Sequence, residues 1–145
     1  MPEKKPQTLA NHGRLDPLFH FFAAPVFAFS MVAALVHFLW HPSLNAGTFF
    51  VVSVAALIAL FKIRVYSLKV QDRVIRLEER QRLSLLSPEA FRSRIAELTE
   101  SQLVALRFAS DGEVAALAQR ALAEKLSKAE IKKAIQTWRP DYWRV

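Results

Sequence analysis

The chain of 145 residues has no cysteine, three glycines and, from Leu18 to Phe61, not one Asp, Glu, Lys or Arg. Each shortage removes a class of explanation. Without cysteine there is no disulfide framework, no thiolate nucleophile and no Cys-ligated zinc or iron–sulfur centre. Gly13, Gly47 and Gly112 stand too far apart to form a phosphate-cradling loop, and neither G-x-S-x-G nor H-E-x-x-H occurs. The missing charge between residues 18 and 61 calls for a solvent other than water. A buried soluble hairpin of that length would need a larger protein around it.

The charges that are present fall unevenly. The net +7 has its largest share in residues 62–86, where seven basic and three acidic groups lie. A basic excess directly behind an uncharged stretch is the pattern of a membrane boundary rather than of a nucleic-acid surface. LFHFFAAPVFAFSMVAALVHFLW, 18–40, would be about 35 Å long as a helix, enough for a hydrocarbon core of about 30 Å. Its length and the polar segment ahead of it read as a retained span, not a signal peptide, and Pro25 is expected to bend it. A second span is expected at about 46–63, joined to the first by a turn in which Pro42, Ser43, Asn45 and Gly47 stop and restart the chain. So short a link makes the spans antiparallel neighbours. Lys4, Lys5 and Arg14 precede span one, whereas the turn has no Lys or Arg, so both termini are expected on the cytoplasmic side. Trp40 should anchor at the outer interface, and Lys62, Arg64, Tyr66 and Lys69 at the inner one. Ala24 with Ala28, Ser30 with Ala34 and Ala55 with Ala59 offer weak small-xxx-small faces.

Beyond Ile63 no Gly or Pro interrupts the chain until Pro88, and a helical extension over 65–86 is expected. Asp72 with Arg76 and Glu78 with Arg82 have i,i+4 spacing. Val70, Val74 and Leu77 form an apolar stripe that could read as a coiled-coil seam, but it spans fewer than three clean heptads, so it is expected to pack on the helices that follow. Ser87-Pro88-Glu89, Thr99 with Gln102, Ser110 with Glu113 and Ser127 with Glu130 are helix-start signals. They delimit four short helices, roughly 88–98, 100–109, 111–126 and 128–138, within a small domain over 87–145. Trp138 shares a helical face with Ile131, and Arg139-Pro140 should then end the helix and direct Tyr142 and Trp143 back over the bundle, the competing reading being Trp143 and Arg144 at lipid head groups. The architecture is therefore all-α. A polar segment (1–16) leads into a transmembrane hairpin (17–64), the extension (65–86) and the small helical domain.

SPEAFRSRIAELTESQLVALRFASD, followed by EIKKAIQTWRPDYWRV, resembles the cytoplasmic part of a family of uncharacterised two-span bacterial membrane proteins classed as a domain of unknown function. The likeness covers most of the chain, and the closing WRPDYWRV is its most specific piece. It implies a bacterial inner membrane and the two-span topology, and carries no catalytic residue across.

A reaction is not expected. The acids Glu89, Glu100, Asp111, Glu113 and Glu130 sit at helix starts, where capping and the macrodipole account for them. His37 and His41 are one turn apart and could approach a metal, but two imidazoles do not complete a site, so no cofactor is expected. Lys125, Lys128, Lys132 and Lys133 share their domain with eight acids, which argues against nucleic acid as a partner. Two functions remain: a membrane-anchored interaction or scaffold protein, whose partner is another copy or another membrane protein, or a module that reads anionic lipid.

Overall fold

The structure is a computed structural model that describes residues 7–11, 13 and 15–141. Lys4, Lys5, Arg14, Tyr142, Trp143 and Arg144, named above, lie outside the described residues. Among the described residues the protein is all-α, with one isolated antiparallel β-bridge between Ala109 and Trp138. Two compact units divide it within a long helix. One ends at Lys69; the other begins at Val70 and takes in residues 7–11 and 13.

The first unit is an apolar hairpin. Its chain enters as a π-helical segment, Leu18–Ala23, opened by Asp16, whose carboxylate accepts from Phe19 N at 3.3 Å. α1 follows as Ala24–Trp40 with Pro25 in its first turn. The winding changes from π to α just ahead of Pro25. Pro25 cannot donate and its ring crowds the preceding turn, and the wider π spacing ahead of it leaves room for the ring. α2, Leu44–Leu86, begins where Ser43 Oγ accepts from Ala46 N at 3.2 Å. The helices meet where Ala34 and Ala46 are buried and where Gly47 lies against Phe38; a Cβ there would come within 3.2 Å of the ring. Ala24, Ala28 and Ser30 are half-buried, whereas Ala55 and Ala59 are exposed. That last pair does not face the hairpin partner, because the contact face of α2 runs through Phe50, Ser53, Val54, Leu57 and Leu60.

The second unit wraps four short helices around the end of α2. α3 (Glu89–Arg92) tightens into a 3₁₀ segment, Ser93–Glu97; α4 is Glu100–Leu106, α5 is Val114–Ala123 and α6 is Lys128–Ala134. Thr99/Gln102 and Ser127/Glu130 form complete capping boxes. Ser87 does not cap α3: its side chain is buried, and Pro88 occupies the cap position. Ser110/Glu113 forms only half a box, since Ser110 N and Oγ donate to the carboxylate but the Glu113 N–H goes to the Ser110 carbonyl, at 3.2 Å, and not to its Oγ, and α5 starts late, at Val114. α4 is the central element, and every residue from Gln102 to Ala109 is buried. Gln102 serves both ends of its surroundings. Its carbonyl accepts from Thr99 N at 2.9 Å, while its amide donates to Ala121 O at 3.0 Å and Leu126 O at 3.1 Å, closing the C-terminus of α5. There Lys125 takes a left-handed φ of 53°, and Leu126 N returns to Ala121 O at 3.0 Å, a Schellman ending made without glycine.

Two expectations fail here. The stripe Val70, Val74, Leu77 does not pack; those side chains are 61%, 47% and 67% exposed. The face of α2 that enters the core is Ile75, Glu79 and Leu83, on the opposite side of the helix. The i,i+4 ion pairs do not form either, although Arg76 Nε donates to the Asp72 carbonyl at 3.2 Å. Arg76 reaches Glu100, and Arg82 reaches Glu79 and Asp111 instead of Glu78.

Candidate functional site

The residues expected at membrane interfaces line the hairpin unit. Trp40 closes α1 and is 77% exposed. Lys62 places its ammonium 5.6 Å from the Tyr66 ring centroid, and the Arg64 guanidinium lies 5.5 Å over Phe19. Tyr66 and Lys69 are exposed. The Lys62 and Arg64 cations thus lie over aromatic faces near the point where the uncharged part of α2 ends. His37 and His41 stack with ring centroids 5.3 Å apart, and both are exposed. Among the described residues no group of three or more His, Cys, Asp or Glu converges. His20 turns back on its own chain, with Nδ1 2.8 Å from Asp16 O.

In the second unit the charged residues gather around Glu79, which is 4% exposed. Its carboxylate accepts from Arg82 Nη1 at 3.0 Å and lies 3.6 Å from Arg139 Nη1. Arg82 in turn donates to Asp111 Oδ1 and Ala109 O, each at 2.7 Å. Burial holds Glu79 above the ordinary carboxylate range; Arg82 and Arg139 pull it down, but by less. One buried acid thus joins α2, the turn before α5 and the C-terminal segment.

That segment is not the helix expected over 128–138. α6 ends at Ala134, and Ile135 is extended. A cause lies in Glu113, whose two carboxylate oxygens accept from Gln136 N and Thr137 N, each at 3.0 Å. Those N–H groups are taken out of a helix to satisfy an acid on another element. The chain then runs beside 108–110, with Ser110 N to Thr137 O at 3.0 Å and Arg139 N to Phe108 O at 2.7 Å. Trp138 still packs on the core, as its position suggested, its ring 5.2 Å from that of Phe108. Asp141 lies 3.3 Å from the buried Arg107 Nε. Its backbone N–H and C=O both pair with the Gln7 amide, at 2.8 and 3.1 Å. Docking of the segment is therefore described through Asp141, and Trp138 and Arg139 both take part in it.

Glu79 and Arg107 were not singled out from the sequence, whereas Arg82 was assigned to a pair with Glu78 and Glu113 to a helix start, and neither assignment reaches the contacts made here. Glu79 alone left a sign: it stands four residues from Ile75 and from Leu83, an acid inside an apolar i,i+4,i+8 row. Chemically the arrangement is a clasp. Its arginines end on carboxylates and carbonyls, and its carboxylates end on arginines and backbone N–H groups.

An exposed apolar hairpin continuing into a small charged-clasp helical unit defines a class of all-α protein. The chain belongs to DUF6526, a family of unknown function whose profile matches residues 3–145. Neither a curated protein nor a solved structure matches it.

Proposed function

We propose that this is a non-catalytic, membrane-anchored interaction protein of the bacterial cytoplasmic membrane. In this reading α1 with its π-helical lead, and the first part of α2, cross the bilayer. The α3–α6 unit works at the inner face, where it meets another protein or another copy. The observation that carries the reading is exposure. In each long helix only 6% of the apolar window is buried, whereas a soluble core helix would be mostly covered. Phe29 and Leu18, each 75% exposed, would each forgo about 1.5–3 kcal/mol of burial in water. Hydrocarbon supplies that cover without any further protein. The Gln7–Asp141 pairing agrees with it, since segments before the first span and after the second must share a side of the bilayer to touch. The basic residues from Lys62 onward support the cytoplasm as that side.

Because the chain lacks cysteine, single Cys replacements report cleanly. The full-length protein should resist alkaline carbonate extraction, and an impermeant thiol reagent outside intact cells should reach Ser43→Cys but not Thr8→Cys or Ser101→Cys. Labelling at 101 overturns the orientation. In-cell crosslinking from exposed positions of the second unit should give adducts of fixed mass. A chain that stays uncrosslinked at every such position removes the interaction role.

A further inference from the structure

Val70, Val74 and Leu77 are exposed although they form a continuous apolar row on α2. At 100° per residue their mean direction lies about 170° from that of Ile75, Glu79 and Leu83, the row that packs into the unit. α2 therefore fastens to its own bundle by one edge and presents the opposite edge outward. We infer that this outward edge is the seam of a parallel, two-stranded contact with a second copy of the chain.

The spacing is that of a coiled coil: Val70 and Leu77 occupy d positions and Val74 the a position between them. Gln81 takes the next a position, a polar side chain of the kind that fixes register and strand number at some cost in stability. The flanks identify the partner. Arg73 and Arg80 fall at g and Glu78 falls at e, and neither Arg73 nor Glu78 has an ion-pair partner among the described residues. In a parallel pair each g residue meets the e residue five positions on in the other helix, so Arg73 meets Glu78 of the second copy, twice by symmetry. An antiparallel pair would set g against g, arginine against arginine. The sequence is thus complementary to itself in the parallel arrangement alone. The inference rests on the membrane-anchored reading, because two copies held in one bilayer send α2 out in the same direction. Confinement there also raises their effective concentration enough for a seam this short to count.

The test uses the full chain in membranes. Leu77→Cys and Val74→Cys, treated with a mild oxidant, should give a disulfide-linked species of twice the chain mass. Asp72→Cys, exposed on the other side of the same helix, should give roughly ten-fold less. Adding Arg73→Glu to Leu77→Cys should lower the yield several-fold, and adding Glu78→Arg to that variant should restore it. Equal yields at 72 and 77 mean chance collision and overturn the seam. So does an adduct at 77 of another protein's mass, or a yield indifferent to both charge changes. Carbonate extraction of the same membranes separates the two ideas. Release of the chain defeats the membrane reading while the crosslinks still judge the seam, and retention without crosslinks at 74 and 77 defeats the seam alone.

Discussion

Gln102→Glu is the most informative single change, because sequence rules call it harmless and the structure does not. A capping box accepts Glu or Gln at its third position, so Thr99 N would keep its acceptor. The other half of the side chain would fail. Gln102 is 6% exposed, and its amide donates to two carbonyls, Ala121 O and Leu126 O. A carboxylate there donates nothing. Two net hydrogen bonds of about 1 kcal/mol each are lost, and a poorly solvated charge faces two carbonyl dipoles, for a total of about 3–5 kcal/mol. Thr99→Ala, which removes only the cap, should cost about 1 kcal/mol. Urea unfolding of the whole chain in mild detergent, followed by far-ultraviolet circular dichroism, reads both. The Glu variant should recover stability as the pH falls, since a neutral carboxyl is less costly to bury and regains one donor. If it is no less stable than Thr99→Ala at neutral pH, the second role assigned to Gln102 is wrong.

Glu113→Ala frees Gln136 N and Thr137 N and should speed amide exchange across 135–139 roughly thirty-fold, equivalent to about 2 kcal/mol of local opening; unchanged exchange there refutes the clasp. Glu79 titrates above its ordinary value of 4.5 when folded, so the folded state binds the extra proton and stability falls as the pH rises from 4.5 through the folded value. Glu79→Gln lacks that loss and should gain on the wild type over this window; a gain in the opposite direction would mean that the arginines, not burial, set the titration. Gly47→Ala asks Phe38 to move by a few tenths of an ångström and should be tolerated, whereas Gly47→Leu should part the hairpin and speed proteolysis at the 41–43 turn in detergent. Equal proteolysis of the two variants would place the contact elsewhere.

What was legible in the sequence is what closes within a few residues. Thr99/Gln102 and Ser127/Glu130 could be read because cap, acceptor and donor all lie within four positions, and both boxes are complete. The hairpin was legible because an uncharged run of that length has few uses. The last turn of the expected 128–138 helix was lost to Glu113, more than twenty residues away in sequence and bound to the very N–H groups the helix needed. Periodicity places Trp138 near the core either way, so it cannot tell a helix from a strand that reaches the same neighbours.

The misassigned face of α2 has a deeper cause. Reading for apolar rows selects Val70, Val74 and Leu77, and rejects Ile75, Glu79 and Leu83 because a carboxylate stands in the middle. The fold chooses the second row. Glu79 is tolerable inside only because Arg82 and Arg139 arrive beside it, one from the next turn and one from sixty residues on. Removing Arg82 would leave the buried acid short of its nearer partner, typically a loss of about 3–5 kcal/mol, and removing the half-exposed Arg139 should cost less, whereas an apolar residue at 79 of similar volume could be neutral. The acid therefore adds little to stability that leucine would not. What it adds is a preference of face: on the inner row the carboxylate meets Arg82 and Arg139, which favours this rotation of α2 on the bundle. The all-apolar row is then held outward, where a second helix can use it.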